Sequence, residues 1–158
     1  MAKKEETKQF MLSITAMQEV SFRFNAEYDY STLNADNLSF GIRYNIIPNK
    51  ESETVRLTVS IVYETSDRKV FLAEYSLMIE FRIIKLAELI TTAEDGEEVI
   101  DKSAAISLLN ISIGSLRGAF FLRMKDTPLS KYPLPLIPDY LLEKELDVSH
   151  KQKSGEVK

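Results

Sequence analysis

Cysteine is absent from the 158 residues, and histidine occurs once. The first absence excludes disulfides, thiolate nucleophiles and cysteine metal sites. The second leaves His150 alone in a polar tail, so a Ser-His-Asp triad or a two-histidine metal centre lacks its parts. Positive charge is also scarce: 20 Lys and Arg against 24 Asp and Glu leave a net charge of −4. No basic stripe offsets that balance, which argues against nucleic acid as the main partner. The opening MAKKEETKQF carries charge but no apolar h-region, so no secretory signal is read and the cytoplasm is the expected location. No catalytic residue, cofactor or metal is assigned, and no internal repeat appears.

What the chain does have is the stretch AAISLLNISIGSLRGAFFLRM, from Ala104 to Met124. Read as a helix, it places Leu109, Ile113, Leu116 and Phe120 on one side at 4-3-4 spacing. Ile106, Leu108, Ile111, Phe121 and Leu122 fill much of the remainder. A surface helix needs one apolar stripe, whereas a helix apolar nearly all round must be covered on more than one side. Its length approaches that of a membrane span, but Asn110, Arg117 and the serines argue against insertion. Gly114 and Gly118 fall one turn apart beside Ser115 and Ala119. That smooth strip suits either close packing on a sheet or a second copy of the helix.

Before this stretch the period is two. Phe10, Leu12, Ile14, Ala16, Val20, Phe22 and Phe24 alternate with Ser13, Thr15, Glu19, Ser21, Arg23 and Asn25, while Gln18 interrupts the apolar face. Unbroken, such a strand would extend about 50 Å, so a bulge or bend is expected near Gln18. Alternation returns at 38–46, 54–64 and 71–83, with turns at 48–50 and 66–69. Four amphipathic strands on short connections imply an antiparallel sheet with one covered and one wet face.

The acidic stretch 91–103 reads as a mobile connection ending in a helix cap at Asp101 or Ser103. Past the long helix, TPLSKYPLPLIP holds four of the five prolines, an extended and unusually apolar strap. A short helix from Tyr140 to about Leu146 closes a single domain spanning 9–146. Residues 1–8 and 147–158 read as disordered. The fold class is therefore α+β: a four-stranded antiparallel sheet, one long helix, a Pro-rich strap and a short C-terminal helix.

This order resembles SecB, the bacterial protein-export chaperone, and its relatives. Glu19-Val20-Ser21-Phe22 is similar to the acidic-Ile-Ser-Phe end of that family's first strand. Phe71-Leu72-Ala73-Glu74-Tyr75 is similar to its Phe-Leu-small-Glu segment, and Tyr132 to Pro138 to its proline-rich strap, with Asp139-Tyr140-Leu141-Leu142 following. The resemblance implies a homotetramer, a dimer of dimers, that holds unfolded polypeptides in apolar grooves without ATP. It implies a groove at Tyr132, Leu134, Leu136, Ile137 and Tyr140, and an oligomer helix using Leu109, Ile113, Gly114, Gly118, Phe120 and Phe121. It also implies docking of the translocation ATPase SecA on Glu19, Leu72 and Glu74, which alternation places on the outer sheet face. Arg23 stands where the family has an acidic residue, and some relatives act outside export, beside toxin–antitoxin pairs.

Two other classes remain open on the residues. One is a domain enclosing a small apolar ligand, for which Gln18 and Tyr44 are the only inward polar candidates. The other is a carboxylate enzyme built on Glu94, Asp95, Glu97, Glu98 and Asp101, for which a solvated acidic loop is the plainer reading.

Overall fold

A computed structural model describes residues 10–93 and 95–154, the side chains of 148–154 excepted. Residues 1–9, which include the segment 1–8 read as disordered, Glu94 and residues 155–158 lie outside the described residues. Four long strands come first: β1 (Leu12–Phe24), β2 (Leu38–Asn49), β3 (Thr54–Thr65) and β4 (Phe71–Ile83). They form one antiparallel sheet in the order β1-β4-β3-β2. A second, two-stranded sheet pairs β5 (Ile90–Thr92) with β6 (Glu98–Ile100). Then follow α1 (Lys102–Met124), a short 3-10 turn at Pro128–Lys131, and α2 (Asp139–Ser154).

The core forms where the alternation predicts it. Val55, Leu57, Val59 and Ile61 of β3 join Leu77, Ile79, Phe81 and Ile83 of β4 in one layer. Leu108, Leu109, Leu116 and Phe120 of α1 supply the other. Each such side chain contributes roughly 1.5–3 kcal/mol when fully buried. Asp101 starts α1, its carboxylate accepting from the backbone N–H of Ser103 at 3.0 Å and Ala104 at 3.3 Å.

Strict alternation fails at three points, each for the same physical reason. In β1, Thr15 and Val20 are extra residues in the pairing with β4. A one-residue insertion turns the following side chains to the opposite face. Between the two bulges Ala16 and Gln18 therefore lie on the outer face, opposite Glu80 and Met78, while Met17 and Glu19 lie on the helix face, opposite Ile79 and Leu77. The expected bend near Gln18 is thus a pair of bulges flanking it. In β4, Leu72 is the extra residue, since Glu64 opposes Phe71 and Tyr63 opposes Ala73. Phe71 turns outward, where the Arg23 guanidinium lies 4.8 Å from its ring centre, and Leu72 joins the core.

Two further expectations are corrected. The acidic stretch 91–103 is not a loose connection: it carries the β5–β6 hairpin, turned at Gly96, whose φ of +85° favours glycine. The final helix does not stop near Leu146 but runs to Ser154. Leu142 and Leu146, one turn apart, are buried, and Asp147 meets Lys102 of α1 at 2.9 Å.

α1 is only partly covered by the described residues. By length and composition it could cross a membrane, yet nine of its residues are buried, among them Leu109, Ile113 and Phe120. Phe121 is 50% and Leu122 65% exposed. A Cβ added at Gly114 or Gly118 would meet nothing within 4 Å, so the glycine strip does not pack on the sheet.

Candidate functional site

The three residues assigned to partner docking do not share a surface. Glu19, turned inward by the bulge at Thr15, accepts from Arg123 of α1 through both carboxylate oxygens, at 2.8 and 2.6 Å. The Arg123 guanidinium also lies 5.4 Å from the Phe22 ring centre. Hydrogen bonding to Arg123, which outweighs the opposing effect of burial, holds the Glu19 carboxyl below its ordinary range. Leu72 is 0% exposed. Only Glu74 stays on the outer face, where it accepts from Arg23 Nε at 2.8 Å. Alternation alone placed all three on the outer face, and a single inserted residue reverses it. The signal was present: Gln18 broke the apolar face while Met17 softened the polar one.

The strap is fastened through its backbone carbonyls. Prolines remove N–H donors but leave the C=O groups in need of partners. Arg117 supplies two, donating to Leu134 O and Pro135 O at 3.0 Å each. Tyr63 donates to Tyr132 O at 2.9 Å, and Tyr132 in turn donates to Leu33 O at 2.9 Å. Burial pushes the Tyr63 hydroxyl up to about 12, so it remains a donor at any physiological pH. Of the five predicted groove residues, Leu134 is buried, Tyr132 and Ile137 are half-buried, and Leu136 and Tyr140 stand 83% and 66% exposed. They form an apolar surface interrupted by buried anchors, beside only a 10 Å³ crevice under Tyr132 and Leu134.

A much larger cleft lies elsewhere, and none of those five residues lines it. Its volume is 370 Å³, and it is open between β2, β6 and α2. Ile42 to Ile46 and Pro48 form one side, Glu97 to Ile100 the other, and Glu145 with Leu146 the end. Lys50 Nζ meets Glu98 Oε1 at 2.8 Å, tying the end of β2 to β6. Tyr44, on the cleft wall, carries a buried hydroxyl with no hydrogen-bond partner among the described residues. Sequence reasoning named Tyr44 as an inward polar group but missed the cleft, because its far wall is the hairpin read as a loose connection. Gln18, the other polar candidate, faces outward.

Of the acidic residues named for carboxylate chemistry, Glu94 lies outside the described residues, and two of the others serve the fold. Asp101 caps α1, Glu98 pairs with Lys50, and no group of three or more His, Asp or Glu able to hold a metal occurs among the described residues.

No family model matches the sequence, and no curated protein matches it. Among solved structures, the chain is similar to the Mycobacterium tuberculosis SecB-like chaperone Rv1957, solved in complex with a ChAD peptide from the Rv1956 HigA1 antitoxin. The match covers 80% of this chain and 90% of that one, with a TM-score of 0.52 and 9% identity. At that identity the likeness concerns the fold, and the fold is SecB-like.

Proposed function

We propose that the protein is a cytoplasmic, ATP-independent holdase that binds unfolded or extended polypeptides and catalyses no reaction. The observation that carries this reading is the SecB-like fold, whose similar structure holds a bound peptide. Supporting it, apolar surface stays open on the strap at Leu136 and Tyr140, and a cleft opens along β2. Export need not be its setting. The peptide in the similar structure comes from an antitoxin, and of the positions assigned to SecA, Leu72 is buried while Glu19 and Glu74 are paired with arginines.

The same reading includes assembly as a homotetramer through α1. The glycine strip and the exposed Phe121 and Leu122 give a face that the described residues leave uncovered. Gly118→Leu tests this with opposite signs at two levels. Within one chain the added side chain meets open space, and removing a helical glycine stabilises by about 0.5–1 kcal/mol. Between chains it fills the strip. The expected result is a protein that keeps its folded circular-dichroism spectrum but has lower mass by light scattering; unchanged mass removes the strip from the interface.

The holdase is tested by light scattering of a chemically denatured client diluted into buffer with stoichiometric protein. Suppressed aggregation is expected, and none would sink the proposal. The size of the cleft favours a second reading, retention of a small apolar ligand. It predicts no suppression, together with an apolar compound recovered from the purified protein by mass spectrometry.

A further inference from the structure

Two strand edges face the cleft beside β2, and the hydrogen-bond phase of each shows which backbone groups turn towards it. Ser66 N–H donates to Asn37 O at 2.8 Å, which fixes the phase of the β2–β3 ladder. In that register Arg43 and Asn45 bond to Ser60 and Thr58 of β3. Ile42, Tyr44 and Ile46 therefore direct their N–H and C=O groups to the free edge. The hairpin follows the same rule. Ala93 N–H donates to Glu97 O at 2.8 Å and Asp101 N–H to Leu89 O at 2.6 Å, so Thr91 bonds to Val99, while Glu98 and Ile100 turn outward. Residues 42–46 are consecutive and alternate in face, yet all border the cleft. What they share is the edge of the strand.

We propose that this cleft takes an extended polypeptide segment as an added strand on the free edge of β2, with the β5–β6 hairpin as the opposite wall. The proposal rests on the polypeptide-binding reading above and adds where and how the segment is held. Along Ile42 to Ile46 the edge is regular, without the bulges, prolines or inward charges that usually blunt one. On the helix side it offers Ile42, Tyr44 and Ile46 to the apolar side chains of an alternating segment, with the unpartnered Tyr44 hydroxyl among them. The rim carries the carboxylates of Glu97, Glu98 and Glu145 against the two cations Arg43 and Lys50, which leaves its border net negative. That balance suits an occupant with basic ends. It disfavours a second copy of this cleft, which would bring the same carboxylates face to face.

Amide exchange followed by NMR tests the proposal, using a short synthetic peptide in which valine and threonine alternate between lysine ends. On binding, exchange at Ile42, Tyr44 and Ile46 should slow roughly tenfold or more, while Arg43 and Asn45, already paired to β3, change little. A peptide that binds without slowing those three amides, or that slows all of β2 alike, overturns strand addition. Failure to bind the peptide by a protein that still suppresses aggregation also overturns it, and leaves the holdase reading standing. Loss of both binding and suppression overturns both.

Discussion

The two edges of the main sheet solve the same problem in opposite ways. An edge strand exposes unpaired backbone groups and invites further pairing. β1 breaks its own regularity with bulges at Thr15 and Val20, and between them it turns Glu19 under the sheet to clasp Arg123. β2 keeps an unbroken register with β3 over its whole length and lines the 370 Å³ cleft. One edge spends its irregularity on closing itself, and the other stays straight where a strand could be added. The difference lies in a few residues, since both strands have similar length and amphipathic composition.

The largest test of this contrast lies where β1 meets the start of β4. Asn25 N–H donates to Leu72 O at 2.8 Å beside the bulge that carries Leu72 into the core. Leu72→Ala should destabilise the fold by about 2–5 kcal/mol, as for other fully buried leucines, and chemical denaturation reads it. A change within about 0.5 kcal/mol would return Leu72 to the solvent face.

A smaller effect concerns the clasp itself. The Glu19 carboxyl titrates below its ordinary value of 4.5, chiefly because it accepts from Arg123. A group whose folded pKa is lowered stabilises the fold at pH above the unfolded value and loses that contribution as pH falls through the folded one. Amides of β1 near Glu19 should therefore exchange relatively faster, after correction for intrinsic rates, as pH drops from about 5 towards 3. Those of β2 should not follow. Glu19→Gln should show the looser β1 already at neutral pH and remove the acid step; a β1 that still loosens over that range would place the titrating group elsewhere.

Much of this architecture is legible in the sequence, and the failures share a cause. Period two over β1 to β4, the Asp101 cap and the proline-rich strap each rest on local chemistry that tertiary structure does not override. The element order, and with it the SecB-like fold, follows from them. Face assignments in β1 and at Leu72 fail because side-chain direction is cumulative: one inserted residue reverses every later one until a second restores it. The β5–β6 hairpin is missed because TTAEDGEEVI is rich in turn formers and charge, and its two three-residue strands are too short to show a period. That omission hid the cleft. Of the predicted strap residues, Tyr132 and Leu134 serve as anchors, a role that composition does not show.

Tyr44 offers the finest test of the β2 edge, because its two roles pull in opposite directions. Its hydroxyl is buried without a partner, and an unsatisfied buried polar group costs about 1–3 kcal/mol. Tyr44→Phe removes that group and nothing else of the ring. Stability should therefore hold or rise by about 1 kcal/mol in denaturant titration. If the hydroxyl is left for an incoming strand to satisfy, the same variant should bind the valine–threonine peptide several-fold more weakly, corresponding to about 1 kcal/mol of lost hydrogen bonding. The reverse signs, a less stable protein with unchanged peptide affinity, would mean that the hydroxyl serves the fold and that the cleft draws its affinity from the backbone edge alone. β1 has no equivalent residue to lose, since its inward-turned polar group, Glu19, is already paired with Arg123.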